Sequence, residues 1–102
     1  MNEALKGKAG QLAALGNPVR LAILRQVVQG HAEGTPVGQV QAKLDIPWST
    51  LSHHLDRLAS AGLLRSRPKG KYILYRADYE ALRALTDYVW SDCCKGGNGE
   101  CC

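Results

Sequence analysis

Apolar residues punctuate this chain at two different periods. Leu5, Leu12 and Leu15 mark a weak first helix over residues 4–14, set among alanines and glycines. A stronger helix follows. Asn17 offers a side-chain oxygen to cap it, Pro18 suits its first turn, and Leu21, Leu24 and Val28 repeat at helical spacing. Residues 30–34 (GHAEG) read as a loop. Thr35-Pro36 repeats the cap-plus-proline signal and opens a short helix to about Leu44, with Val37, Val40 and Leu44 on one face. Asp45-Ile46-Pro47 breaks it. The next helix runs from Trp48 to about Ala61 and stops at Gly62, which tolerates the left-handed position beyond a helix end.

The period then shortens. Leu63 to Arg67 and Lys71 to Arg76 read as two strands, with Lys69-Gly70 as the tight turn between them. Asp78 caps a last helix that carries Leu82, Leu85 and Val89 on one stripe to about Asp92. The predicted fold class is mainly α with a small β-hairpin, in the order α-α-α-α-β-β-α. Two short helices joined by a three-residue turn and followed by a hairpin form a winged helix-turn-helix.

The helix from Trp48 divides into two faces at about 100° per residue. Leu51, Leu55 and Leu58 fall in one arc, toward the core. Ser49, His53, Arg57 and Ser60 fall opposite, with Thr50 and Asp56 beside them. Small hydroxyls near the start of a helix let its backbone approach a major groove, and His and Arg reach base edges or phosphates. His54 turns toward the leucine side and reads as a hydrogen-bonded residue at the core's edge. Trp48 reads as packed on the preceding turn.

Charge strengthens this picture. The net charge is +4, from 13 Lys plus Arg against 9 Asp plus Glu. From Arg57 to Ala77 there are six basic residues and no acidic one. Arg65, Arg67, Lys69 and Lys71 surround the hairpin turn, where a polyanion backbone would be met. A solvated basic edge is the plainer alternative. No apolar run approaches the ~20 residues that span a bilayer, and residues 1–10 show no secretory leader. A cytoplasmic protein is therefore expected, in which thiols stay reduced. A chain of 102 residues buries only about two-thirds of its unfolded surface, so spare apolar faces favour a dimer.

The cysteines stand apart. None occurs in the first 92 residues; Cys93, Cys94, Cys101 and Cys102 all lie in the last ten, on either side of a Gly-rich spacer. The pattern divides the chain into a DNA-binding and dimerisation domain, 1–92, and a cysteine-rich tail, 93–102. Thiolates select soft ions. Adjacent cysteines suit the Cys-x2–4-Cys geometry of zinc poorly. They fit a thiophilic centre of low coordination number, trivalent arsenic or antimony bound by three thiolates. Zinc or another soft metal, a redox-active disulfide, and a loose tail are the competing readings.

The motifs together resemble the ArsR/SmtB family of metalloregulatory repressors. Residues 17–24 (NPVRLAIL) are similar to the family's opening helix signature. Leu51-Ser52-His53-His54-Leu55, Leu58 and Ala61-Gly62-Leu63-Leu64 resemble its recognition helix, and Lys69-Gly70-Lys71 with Tyr72 to Tyr75 its wing. The resemblance covers about residues 10–90. It implies a homodimer through the first and last helices, and a repressor that leaves operator DNA when its inducer binds. Family DNA contacts map onto Ser49, Thr50, Ser52 and His53.

Two family features are absent. No Cys-x-Cys opens the recognition helix, and Asp87 has no histidine partner on the last helix. The cysteine tail resembles the family variant whose arsenic ligands follow the last helix, with Cys93 and Cys94 as ligands and the third from Cys101 or Cys102.

The expected function is an arsenic- or antimony(III)-responsive repressor. The predicted DNA contacts are Ser49, Thr50, Ser52, His53, Arg57, Arg67, Lys69 and Lys71. A methylarsenite-, zinc- or redox-responsive repressor is the alternative. An enzyme or thiol carrier would need a nucleophilic cysteine in an anion pocket or a Cys-x-x-Cys motif, and neither is present.

Overall fold

In the computed structural model, residues 1–96 are described. Five helices and three short strands follow in the order α1 (Glu3–Leu15), α2 (Pro18–Gln29), β1 (Thr35–Pro36), α3 (Val37–Leu44), α4 (Trp48–Ser60), β2 (Leu64–Lys69), β3 (Tyr72–Ala77) and α5 (Tyr79–Trp90). The fold is mainly helical, with a winged helix-turn-helix formed by α3, α4 and the β2–β3 hairpin.

Three caps fix α1, α2 and α5. Asn2 accepts from the Leu5 N–H, Asn17 from the N–H groups of Val19 and Arg20, and Asp78 from that of Ala81. Each satisfies donors that the first turn leaves unpaired. Asp45, at φ 52°, and Gly62, at φ 79°, take left-handed conformations that end α3 and follow α4.

The core gathers Ile23 and Val27 of α2, Val40 of α3, Leu51, Leu55 and Leu58 of α4, then Leu63, Leu64, Ala77 and Leu85. The three α4 leucines are fully buried, as the helical spacing predicts. Truncating any one to alanine would cost about 2–5 kcal/mol.

The stripe on α2 differs from expectation. Leu24 is buried, but Leu21 and Val28 are exposed; Ile23 and Val27 take the inner positions. Both sets fit a helical period, and only the position of α4 and β3 against α2 selects between them. Val89 is likewise outward on α5, which ends at Trp90 rather than at Asp92. Trp48 is 49% exposed and does not pack away against the preceding turn.

The helix expected from Thr35-Pro36 is present as α3, but it begins at Val37 and Thr35 does not cap it. Thr35 pairs with Tyr75 and Pro36 with Leu74, so the pair adds a third antiparallel strand in the order β1-β3-β2. The edge of β3 would otherwise expose its N–H and C=O groups, and proline is tolerated on an edge strand. Gly34 makes the approach possible. Its φ is +127°, and a Cβ there would lie 2.8 Å from that of Leu74. The hairpin turn is also shifted by one residue. Lys69 pairs with Tyr72, which leaves Gly70-Lys71 as the two-residue loop, with Gly70 at φ 62°.

Candidate nucleic-acid interface

The first turn of α4 is preceded by Pro47, and no side chain caps it. Its leading N–H groups are therefore open to an anion, and the helix dipole favours one there. Ser49, Thr50 and His53 are exposed around this end, and Ser52 is half-buried. These four sequence-predicted residues share one helical end, where a backbone can approach bases.

Arg57 is separated from them. It lies further along α4 and lines a groove against α1 with Lys8, Gln11 and Ser60. It is exposed, but it serves the side of the recognition helix nearer α1.

His54 sits behind the exposed face. Its Nδ1 accepts from Arg20 Nη1 at 3.2 Å, while Arg20 Nε donates to the Ala14 carbonyl at 2.6 Å. One arginine thus ties the end of α1 to the middle of α4. Burial, then the positive charge of Arg20 and the neighbouring His53, hold the His54 pKa below its ordinary value. The neutral ring, with its remaining N–H on Nε2, is the form that fits Arg20.

The hairpin distributes its cations unevenly. Its register pairs Arg65 with Arg76, Arg67 with Leu74 and Lys69 with Tyr72, so these six side chains share one face. Leu74 packs beneath Gly34 on that face, and the loop before β1 lies over it. The other face carries Ser66, Pro68, Ile73 and Tyr75 and continues into the buried Leu64 and Ala77. Burial, and the negative charge of Asp56 on α4, raise the Tyr75 pKa.

The basic face is therefore turned away from α4. Three of its members are already engaged. Arg65 pairs with Asp78 at 2.9 Å, and Arg76 lies over the Tyr79 ring at 5.7 Å. The Asp78 pKa is held down mainly by its bond from the Ala81 N–H, with Arg65 assisting. Lys69 meets Glu33 at 3.3 Å, an exposed pair. Arg67 and the turn residue Lys71 carry no such ion pair among the described residues.

The sequence pattern gave no sign of the roles of Glu33 and Arg20. Their partners lie 36 and 34 residues away, and no local signal marks such contacts.

Shortly beyond α5 come Cys93 and Cys94, with their sulfurs 4.0 Å apart. Cys101 and Cys102 lie outside the described residues. Among the described residues no three His, Cys, Asp or Glu side chains converge as a metal site. None of the described helices is long and apolar enough to cross a membrane.

An uncapped recognition helix beside a basic hairpin defines a winged helix-turn-helix transcriptional regulator. Residues 15–67 match a family described as a helix-turn-helix domain. The chain is 35% identical over 88 residues to the nodulation protein NolR of Rhizobium meliloti, covering 82% of this chain and 70% of the relative. It is 32% identical over 88 residues to the transcriptional repressor SmtB of Mycobacterium tuberculosis, covering 85% and 63%. Among solved structures, one described as a possible transcriptional regulator for arsenical resistance superposes with a TM-score of 0.67 at 32% identity, covering 80% of this chain and 85% of the other. The chain belongs to the ArsR/SmtB family of transcriptional regulators.

Proposed function

We propose that the chain is a dimeric repressor that releases its operator when trivalent arsenic or antimony is bound by the cysteines after α5. The observation that carries this reading is the Cys93–Cys94 pair. It begins three residues beyond the end of α5, with its sulfurs 4.0 Å apart. Two metal–sulfur bonds of about 2.3 Å, the length found for zinc thiolates, are long enough to span that distance. The third thiolate would come from Cys101 or Cys102. The sulfurs must be thiolates, which a reducing medium supplies. The 32% identity to a protein described as a possible regulator for arsenical resistance supports the reading.

Exposed apolar side chains on α1 (Leu5, Leu12) and α5 (Tyr88, Val89, Trp90) supply a surface for the dimer. A related domain from Mycobacterium bovis, 28% identical with a TM-score of 0.69, is described as homodimeric. In the dimer, α4 of each protomer presents Ser49, Thr50, Ser52 and His53 to a major groove, while Arg67, Lys69 and Lys71 meet phosphates. An ion held just past α5 shifts the helix that also forms the interface, and so changes the spacing of the reading heads. A coupling of about 1–3 kcal/mol alters occupancy roughly 5–150-fold.

The test is an operator-binding titration of reduced protein with arsenite, methylarsenite, zinc and peroxide in separate arms. Arsenite should release DNA from the wild type. The Cys93→Ser/Cys94→Ser variant should still bind DNA and no longer respond. Release by arsenite that survives in this variant refutes the assignment.

A further inference from the structure

A second candidate ligand site lies between the end of α2 and the face of α3 that carries Gln39 and Lys43, apart from the cysteines that follow α5. We propose that this cavity binds a small oxyanion, a carboxylate or phosphate group carried on a molecule that also donates hydrogen bonds. The cavity has a volume of about 250 Å³ and is lined by Gln26, Gln29, Gly30, Thr35, Gln39 and Lys43, among others. That is below the usual range for drug-sized ligands, about 300–1,000 Å³, and suits a metabolite of a few heavy atoms.

Three observations converge. Thr35 is only 4% exposed, and its hydroxyl is buried with no hydrogen-bond partner. A buried, unsatisfied hydroxyl is costly, about 1–3 kcal/mol, so a partner is expected. The hydroxyl lies against Gly30, where any Cβ would collide with it. The bare glycine at that position leaves the threonine room. Second, α3 follows Pro36 with no side-chain cap, so its first N–H groups and dipole favour negative charge. Third, Lys43 adds a cation one turn beyond Gln39, and no carboxylate lines the cavity.

The far wall is the C-terminal end of α2. Its last carbonyls prefer donors, and the amides of Gln26 and Gln29 serve either role. The two walls therefore want opposite ends of one molecule: an oxyanion toward Thr35, Gln39 and Lys43, and a hydroxyl or ammonium toward α2. Hydroxy acids and amino acids have that form. Because α3 is the first helix of the DNA-binding unit, an occupant that bridges α2 and α3 bears directly on how that unit is held.

The experiment is an amide NMR titration of the full chain with lactate, serine and inorganic phosphate, each alone. Saturable shifts at Gly30, Thr35 and residues 37–39 are expected with at least one of them. Thr35→Val and Lys43→Gln should each weaken that binding about tenfold, a change of about 1.4 kcal/mol. Thr35→Val conserves the shape of the side chain, and thermal unfolding checks that both variants fold. Shifts that are absent, scattered or unchanged in the variants overturn the proposal. It also fails if the variants alter operator affinity while no small anion binds, because the cavity would then be a contact for the DNA backbone. Neither result touches the cysteine reading, since no arsenic is present.

Discussion

Arg20 joins the α1–α2 junction to the recognition helix, donating to His54 Nδ1 at 3.2 Å across 34 residues of sequence. It holds the junction of α1 and α2 against the middle of the recognition helix. Protonation of His54 destroys the acceptor and places two cations together.

A pH dependence follows. The folded-state pKa of His54 lies below the ordinary value of 6.5. The unfolded chain then binds more protons in the interval between the two values, so stability rises with pH there. As pH falls from about 6.5 through the lowered folded value, stability should decline. Urea unfolding across this interval measures the slope. His54→Asn keeps a neutral acceptor and should flatten it; an unaltered slope would assign the effect elsewhere.

Asp78 works in a more acidic range. Its folded pKa lies below 3.8, so its contribution is complete above that value and is lost as pH falls through the folded one. Asp78→Ala removes the α5 cap and should cost about 0.5–2 kcal/mol at neutral pH. Asp78→Asn keeps a capping oxygen and should retain most of that stability. Chemical denaturation of the two variants compares them.

Two glycines should respond with opposite signs. Gly34→Ala forces an L side chain to φ +127° and drives its Cβ against Leu74. A loss of about 1–3 kcal/mol is expected. Gly38→Ala lies within α3, and its Cβ would meet nothing within 4 Å. It should stabilise by about 0.4–1 kcal/mol, since alanine narrows the unfolded ensemble. Thermal unfolding midpoints decide both.

The wing's cations should tune affinity without selecting sequence. Lys71→Ala and Arg67→Ala are expected to weaken binding to all DNA sequences, each lowering the slope of log K against log salt by about 0.9 if it meets one phosphate. Glu33→Gln should have the reverse effect, because Glu33 holds Lys69 at 3.3 Å in the free protein. Substitutions at Ser52 or His53 should instead change the preference between operators. Fluorescence anisotropy at several salt concentrations, with operator and scrambled duplexes, separates these classes.

Much of this protein was legible in its sequence because much of it is decided locally. Asn17 and Asp78 cap their helices by reaching two or three residues along the chain, and Gly62 takes a left-handed conformation within one turn of the helix end. Leu51, Leu55 and Leu58 lie on one face by helical geometry alone, and that face is buried. The cysteine tail and the run of basic residues are equally plain from the sequence.

Tertiary structure decided what depends on distant partners. Thr35-Pro36 signals the helix that begins at Val37, yet the unpaired edge of β3, about 40 residues on, draws the pair itself into a strand. Leu21 and Ile23 are equally apolar, and only the packing of other elements against α2 buries the second and exposes the first. The hairpin's register sets Arg67 and Lys69 on the face beneath the 30–34 loop, which a one-residue slip would reverse. The cavity beside Thr35 exists because three separate elements meet there. A sequence specifies what each residue prefers; burial and pairing between remote segments select which preference is satisfied.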